Sequence, residues 1–417
     1  MFSSHHSYRS LVIAGILIAL SLLFLTSRLE LNLKTPAAVN RLYNKDPKIS
    51  SAISNATLGF QKLLVINLPS RTDRRDATSL AAAISDLSIE FVNGVDGSSV
   101  PEAALPPSGS DKSVKLSKGI RGSWRSHMNA LQLVVSQNLS TAVIFEDDVD
   151  WDIRLRDQLE HFAKASRILT AGAQDFSTFP VVSSDNPEDA ESIHSEVSDN
   201  EIAKILFSLP LSYVPSPTKV APYGDPSNWD VLWLGHCGAG FPRPSGYPDV
   251  YDENNLLLTL PDDDTVPQPQ YLRAHPFGPL DALAESHPPH TRVYHRASGG
   301  ALCTVAYAVS QRGARRLLQE YSVTKWSKIW DAELGEWCAG TDSFWKKLGE
   351  RKCITSQPPI FAHHHPPGGR SNIGGLGGGY ATNVESKYLR LSVRMNLQAL
   401  VRGEGIDGME DQWPDTE

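Results

Sequence analysis

Cysteine is scarce in this sequence of 417 residues, and no two of its four cysteines form a C-x-x-C pair. The chain therefore lacks the close thiolate spacing that is typical of cysteine-based zinc sites. In an oxidising compartment four cysteines allow three pairings, and we favour the local pair Cys338 and Cys353.

Clustered positive charge is also lacking, because 39 Lys and Arg residues stand against 47 Asp and Glu residues, a formal charge of −8. A nucleic-acid surface needs grouped cations to contact phosphates, so we expect no nucleic-acid partner. A metal-bound diphosphate remains compatible with the acidity, since the cation offsets it locally. The length is sufficient for one large domain or two ordinary ones.

Long apolar runs are absent except near the N-terminus, where Leu11–Leu25 is uncharged and lies between Arg9 and Arg28. Residues 10–27 reach the length of a short membrane span. We predict a signal-anchor there, with residues 1–9 in the cytosol and the remainder in the lumen. A cleaved signal peptide is the alternative, although small residues suited to cleavage are hard to find after the run.

Two N-glycosylation acceptors, Asn55-Ala-Thr57 and Asn138-Leu-Ser140, fit the same compartment. Together with the cysteines they predict a single-pass type II protein of the Golgi or endoplasmic reticulum membrane. Its catalytic or binding domain would face the lumen.

The remainder of the chain divides by composition. Residues 28–61 are expected to form a stem, and residues 62–365 a single domain with irregular, Ser-rich and Pro-rich insertions at 171–228 and 241–295. Residues 366–417 should contain a Gly-rich loop and a basic amphipathic helix near Val384–Val401.

The domain opens with a β-α-β pattern. An apolar strand ends at Leu68, an Ala-rich helix runs to about Leu87, and a second strand covers Ile89–Asn93. Such an opening predicts an α/β fold with parallel strands.

The acid triplet Glu146-Asp147-Asp148 directly follows the apolar strand Ala142–Phe145. Ligands of open α/β sheets bind where strands end, and alternation along a strand places Glu146 and Asp148 on one side. Two carboxylates suit Mn²⁺ or Mg²⁺, which would bridge a substrate diphosphate. The alternative is a solvated acidic turn that caps the next helix.

Six segments in order resemble glycosyltransferase family 25, the lipopolysaccharide and collagen galactosyltransferase-like family. They are VINLPSRTDRR (Val65–Arg75), FVNGVDG (Phe91–Gly97), KGIRGSWRSHMNAL (Lys118–Leu131), AVIFEDDVDWD (Ala142–Asp152), WDVLWLG (Trp229–Gly235) and AYAVSQRGARRLL (Ala306–Leu318). The resemblance implies a single Rossmann-like nucleotide-sugar transferase domain of the GT-A type. It also implies a UDP-hexose donor and inversion at the sugar.

The same resemblance implies that Asn67, Arg71, Arg74 and Asp96 contact the donor nucleotide, and Asp147 is a further predicted donor contact. A polar solvated loop is the alternative for the two arginines. For Asp96 the alternative is turn formation by its side chain.

An inverting reaction needs a carboxylate that takes the acceptor proton. Asp342, at the start of a predicted helix, is the candidate base, and its alternative is an N-cap of that helix. Asp331 and Glu333 are further candidates. Within the run His363–His365, His363 is the candidate third metal ligand, because it directly follows the apolar residues Ile360–Ala362. The alternative is that the whole run forms an exposed His-Pro loop.

The sequence thus predicts a metal-dependent hexosyltransferase that uses a UDP-sugar and a glycan or glycoprotein acceptor. A non-catalytic, membrane-anchored lectin or transferase-fold protein is the first alternative. A glycoside hydrolase is the second, but adjacent acids on a strand end fit it less well, because hydrolases separate their two carboxylates.

Overall fold

The structure is a computed structural model, which describes residues 47–107, 116–171, 206–215, 217, 221–242, 256–273, 278–340, 351–366, 372–373 and 384–415. After Pro47 these residues all fall in one unit, Lys48–Glu417. Within the described ranges, no helix has both the length and the apolar character needed to span a bilayer. The predicted anchor at residues 10–27 and the tail at residues 1–9 lie outside the described residues.

Ordered structure begins before residue 62, so the predicted stem is wrong for its last part. Helix α1 (Pro47–Ile53) buries Ile49 and Ile53 in the main core. Phe60 also joins this core and stacks on Tyr223, with 4.2 Å between the ring centroids. These apolar side chains are separated by polar residues, which hid their common face in the sequence.

The predicted β-α-β opening is confirmed, and a second helix and strand follow it. The elements of this half are β1 (Lys62–Asn67), α2 (Thr72–Ile84), β2 (Ile89–Asn93), α3 (Lys118–Ser136), β3 (Thr141–Glu146), β4 (Val149–Trp151) and α4 (Leu155–Thr170). Every residue of β3 before Glu146 is buried. A continuous apolar run is typical of a central strand that is covered on both faces.

The second half adds strands and short helices to the same sheet. They are β5 (Phe207–Pro210), β6 (Val231–Gly235), β7 (Leu256–Leu260), α5 (Ala282–Ser286), β8 (Arg292–Arg296), β9 (Ala306–Ser310), α6 (Gln311–Leu318), α7 (Trp330–Ala339), β10 (Cys353–Gln357), β11 (Phe361–His365), β12 (Glu385–Ser386) and α8 (Leu397–Val401). A π-helical turn, Gln319–Thr324, extends α6.

The main row of the sheet has the order β2-β1-β3-β9-β6-β10-β8-β7-β5. Strands β9 and β8 pair antiparallel with their neighbours, and the other strands of the row share one direction. Strand β11 continues beside β6 and pairs antiparallel with β4. The fold is therefore mixed α/β with a mostly parallel central sheet, which agrees with the α/β fold and parallel strands that the opening predicted.

Parts of the two stretches expected to be irregular contain regular structure. Strand β5 lies in the first stretch, and β7, α5 and β8 lie in the second. Strand β8 was hidden because it carries charge: Arg292 is fully buried and its Nε donates to Asp263 Oδ2 at 2.7 Å. A buried charge needs such a partner, and here the partner is 29 residues away.

The predicted long C-terminal helix is wrong. Among the residues described there, only α8 is α-helical, and β12 begins the segment. The serines of this segment explain the difference, because Ser386 and Ser392 both donate to the buried carboxylate of Asp150. Hydrogen bonds from short polar side chains compete with helix formation.

Two disulfides join the four cysteines. The local bridge Cys338–Cys353 is confirmed, and Cys237 pairs with Cys303. The first connects the end of α7 to the start of β10, and the second joins the loop after β6 to the segment that leads into β9.

Candidate active site

A cavity of about 770 Å³ opens where strands β1, β3 and β6 end. Neighbouring strands that point the same way bring their carboxyl ends, and the side chains that follow them, to one edge of the sheet. The polar and charged residues in its lining include Ser70, Arg74, Asp96, Lys118, His127, Glu146, Asp147, Asp148, His236, Thr304, Asp331, His363 and His365.

Three residues of this lining converge on one point. Their potential ligand atoms, from Glu146, Asp148 and His363, all lie within 4.8 Å of one another. His363 Nε2 is 3.6 Å from Asp148 Oδ1 and 3.8 Å from Glu146 Oε2. Strand β11 produces this arrangement, since it pairs with β4 and sets His363 opposite Val149. These are the three residues that the sequence predicted as metal ligands.

Asp147 also lines the cavity, and Asn67 and Arg74 hold its carboxylate. Asn67 Nδ2 donates to its Oδ2 at 2.8 Å, and Arg74 Nη1 donates to its Oδ1 at 2.7 Å. Arg74 also lies 2.9 Å from Asp148 Oδ2, so one guanidinium bridges both aspartates. Burial and the neighbouring Asp148 raise the pKa of Asp147, although Arg74 opposes the shift.

Charge compensation governs the ionisation of the site. Burial raises the pKa of Glu146, but His127 and His363 outweigh burial and hold the pKa of this carboxyl well below its usual range. Burial lowers the pKa of His363, but Asp148 and Glu146 raise it by more. The two carboxylates and the imidazole thus stabilise one another as charged groups.

The other two histidines of the run serve different purposes. His364 Nδ1 lies 3.0 Å from Ser386 Oγ and contributes to the buried network around Asp150. His365 lines the cavity, and burial lowers its pKa to about 4, so it is neutral near pH 7. His364 also borders the cavity, but its Nδ1 is directed to Ser386 and Asp150.

Two of the predicted donor contacts have other partners. Arg71 forms a two-bond fork with Asp73, at 2.9 and 2.7 Å, and donates to Asn372 Oδ1 at 2.6 Å. Asp96 lines the cavity, and its Oδ1 accepts from Ser98 N at 2.8 Å. The hydrogen bonds from Ser98 lower the pKa of Asp96. Asp96 therefore forms the turn and also faces the cavity.

The candidate base Asp342 lies outside the described residues. Of the two further candidates, Asp331 lines the cavity and Glu333 does not. Glu333 Oε1 accepts the backbone amides of Ser327 and Lys328 at 2.8 and 2.9 Å, which fixes the turn before α7. Burial raises the pKa of Asp331.

Sequence reasoning missed Thr304, whose Oγ1 donates to Glu146 Oε1 at 2.7 Å. No local pattern marks this residue, because the contact joins positions that are 158 residues apart. His127 is buried, with its Nδ1 3.0 Å from Tyr307 Oη. Its Nε2 nevertheless lies 3.6 Å from Glu146 Oε1.

The converging residues fit a hard divalent cation. Carboxylate oxygens and imidazole are ligands that Mn²⁺ accepts, and Mg²⁺ accepts the carboxylates. Asp148 Oδ1 is buried and, among the described residues, receives no hydrogen bond. A buried carboxylate oxygen without a donor is costly, and a bound cation would remove that cost.

Residues 60–179 match the sequence model of glycosyltransferase family 25, described as an LPS biosynthesis protein family. The resemblance to glycosyltransferase family 25 is confirmed. Human "inactive glycosyltransferase 25 family member 3" is 30% identical over 112 residues, which is 25% of this chain and 19% of that protein. Zebrafish procollagen galactosyltransferase 1 is 25% identical over 148 residues, 33% of this chain and 24% of that protein. The chain therefore spans about a fifth to a quarter of these relatives.

The family 25 match covers only part of the cavity. It contains Arg74, Asp96 and the acid triplet Glu146–Asp148. His363 and Asp331 lie beyond it, on β11 and at the start of α7. The geometry of the fold, rather than the matched segment, joins them to the acids.

Proposed function

We propose that this chain is a metal-dependent, inverting glycosyltransferase of the GT-A type, which transfers galactose or glucose from a UDP-sugar to a glycan or glycoprotein hydroxyl. One observation carries the proposal: Glu146, Asp148 and His363 converge beside a cavity large enough for a nucleotide-sugar. Glycosyltransferase family 25 membership of residues 60–179 and the galactosyltransferase named among the relatives support the reaction class.

Glu146, Asp148 and His363 would hold the Mn²⁺ or Mg²⁺ ion. When bound, such an ion stabilises the negative charge that grows on the leaving diphosphate. Arg74 contributes a positive charge at the same place, and Asn67 and Asp147 fix its direction. Both carboxylate oxygens of Asp147 accept hydrogen bonds, one from Asn67 and one from Arg74. We therefore assign Asp147 the role of orienting Arg74 rather than of contacting the donor. Arg71 has its own partners and is not part of this proposal.

In the transfer, the acceptor oxygen forms a bond to the anomeric carbon while the bond from that carbon to the diphosphate oxygen breaks. The electron pair of the broken bond leaves with UDP, and the hydroxyl proton passes to a carboxylate. Asp331 is suited to this role because it lines the cavity and burial raises its pKa. Its oxygens accept the amides of Cys303 and Ala332 at 3.2 and 2.8 Å, which orients the carboxylate. Asp342 stays a prediction from the sequence.

UDP release from UDP-galactose and UDP-glucose tests the proposal. We expect release that requires Mn²⁺ or Mg²⁺, stops with a chelator and is lost in Asp148→Ala. In Asp331→Asn, we expect release with an acceptor to fall while Mn²⁺ still binds. Release that persists with the chelator, or in Asp148→Ala, would remove the metal from the reaction.

A non-catalytic protein of the same fold is the second candidate, because several relatives carry the word "inactive" in their names. The lowered pKa values of Glu146 and Asp148 keep both carboxylates charged and able to bind a cation, which favours an enzyme over a non-catalytic protein. Binding of UDP-hexose without any UDP release across a panel of acceptors would support the second candidate.

We also propose that an N-terminal anchor holds the domain in the lumen of the Golgi or the endoplasmic reticulum. The two disulfides support an oxidising compartment. Asn55 and Asn138 support it as well, since both acceptor asparagines are exposed. Glycosidase treatment of the chain from its native host should increase its mobility on a gel, and an unchanged mobility together with a cytosolic fraction would exclude this location.

A further inference from the structure

One short segment contacts both the candidate metal site and the candidate base. It consists of Cys303, Thr304 and Val305, immediately before β9. The Cys303 amide donates to Asp331 Oδ2 at 3.2 Å, and Thr304 Oγ1 donates to Glu146 Oε1 at 2.7 Å. Val305 O accepts the Glu146 amide at 3.0 Å.

A covalent link connects this segment to the third metal ligand. Cys303 is bonded to Cys237, and Cys237 Sγ lies 3.5 Å from His363 Nδ1. The Cys237 amide also donates to Leu302 O at 2.8 Å, so backbone and disulfide hold the same two loops together. Cys303 has a φ of +64°, a conformation that non-glycine residues seldom adopt and that surrounding contacts must maintain.

The two oxygens of Glu146 have different surroundings. Oε1 accepts from Thr304 and lies 3.6 Å from His127 Nε2. Oε2 faces His363 Nε2 at 3.8 Å. Thr304 and His127 therefore occupy one oxygen and leave the other directed toward the point where the three ligand residues converge. Hydrogen bonds of this kind orient carboxylate ligands and tune metal affinity.

We propose that Thr304 is a positioning residue that selects Oε2 of Glu146 as the metal ligand, and that the Cys237–Cys303 disulfide fixes the segment carrying it between His363 and Asp331. The inference rests on the proposed function, because it assumes that Glu146 and His363 bind a cation. It adds that the Thr304 hydroxyl, in the segment before β9, and the Cys237–Cys303 disulfide set the metal affinity of the site.

Binding of Mn²⁺ to the whole chain, measured from the free Mn²⁺ signal in electron paramagnetic resonance with and without UDP, tests the role of Thr304. Thr304→Val keeps the shape and removes the hydroxyl, so its dissociation constant should rise by about 10- to 100-fold. Thr304→Ser keeps the hydroxyl and should stay within about threefold of the unmodified chain.

The Mn²⁺ measurements test the role of Thr304 and the metal dependence of the site separately. Equal Mn²⁺ binding by Thr304→Val and the unmodified chain would overturn the role of Thr304, as would a loss in Thr304→Ser as large as that in Thr304→Val. Absence of Mn²⁺ binding by the unmodified chain would instead overturn the metal dependence in the proposed function. Thermal unfolding of each variant separates lost affinity from lost structure.

The disulfide has a matched control in the same chain. Cys237→Ser with Cys303→Ser should weaken Mn²⁺ binding by about tenfold, because His363 and Thr304 lose their common support. Cys338→Ser with Cys353→Ser removes the bridge at the far end of α7 and should leave Mn²⁺ affinity within about twofold. Equal Mn²⁺ affinity in both paired variants would overturn the role of the Cys237–Cys303 bridge.

Discussion

Two groups of acids are adjacent in the segment from Glu146 to Asp152, and they differ in solvent exposure and in the number of hydrogen bonds that they accept. The cavity acids, Glu146–Asp148, line the candidate active site, and Asp148 Oδ1 receives no hydrogen bond among the described residues. The buried acids, Asp150 and Asp152, have no solvent exposure, and each of their oxygens accepts at least two hydrogen bonds.

The difference follows from the elements that cover each group. The C-terminal segment that begins with β12 supplies donors to Asp150 from Ser386, Ser392 and the Arg394 amide. The same Arg394 reaches Asp147 O with its Nη2 at 2.9 Å, so it touches both groups. Identical side chains thus stabilise the fold where donors saturate them and are available for chemistry where donors are missing.

Removal of a cavity acid should give the largest effect. Asp148→Ala should lower UDP release by about 10³-fold, because the leaving diphosphate loses its main charge stabilisation. Its free energy of unfolding should stay within about 1 kcal/mol of the original value, since Arg74 keeps Asp147 as a partner. Enzyme assays and urea unfolding measure both quantities. A large loss of stability would show that Asp148 resembles the buried acids after all.

Removal of a buried acid should show the reverse. Asp150→Ala leaves two serine hydroxyls and two backbone amides without their acceptor, and we expect the free energy of unfolding to fall by about 3 kcal/mol. Urea unfolding followed by tryptophan fluorescence measures the change. A variant that unfolds as the unmodified chain does would contradict a structural role for Asp150.

Most of the strands near the cavity acids could be predicted from the sequence, because they are short apolar runs that end in polar residues. Strand β8 could not be predicted in this way, since Arg292 and His295 interrupt its apolar pattern. Both are buried because distant residues satisfy them, Asp263 in the first case and Gln357 in the second. Local patterns do not contain that information.

The candidate metal ligands could be predicted for a similar reason, because Glu146, Asp148 and His363 each come directly or closely after an apolar run. Asp331 was only one of several acids near the predicted helix, and the structure distinguishes it by placing it in the cavity. Thr304 gave no signal, because a single hydroxyl acquires its role only when β9 pairs with β3. The positions of such residues depend on sheet order, which the sequence did not reveal.

Histidines in the cavity and in the core also differ in their pKa values, and this difference makes the stability of the fold depend on pH. His363 stands beside carboxylates that raise its pKa, whereas burial lowers the pKa of His236 and His295 to about 4. As the pH falls, these two histidines become protonated near pH 6.5 in the unfolded chain but only near pH 4 in the folded chain. Their contribution to stability is therefore complete above pH 6.5 and is lost as the pH falls toward 4.

The expected slope is up to about 1.4 kcal/mol per pH unit for each of the two histidines. Urea unfolding at several pH values between 7.5 and 5 measures it. His295→Gln, which keeps a polar partner for Gln357, should reduce the slope. A slope that is unchanged in this variant would mean that other groups cause the acid sensitivity.

The smallest effect is expected within the buried acids themselves. Asp152 accepts most of its hydrogen bonds from Arg154, whose side chain is 20% exposed, and only one from the distant amide of Leu391. Because Arg154 can return to water, Asp152→Asn should cost about 1 kcal/mol in the free energy of unfolding. A loss equal to that of Asp150→Ala would show that burial alone decides the cost. A smaller loss would show that the hydrogen bonds to the C-terminal segment determine the loss in the free energy of unfolding. Asp150→Asn, measured in the same experiment, provides the matched comparison.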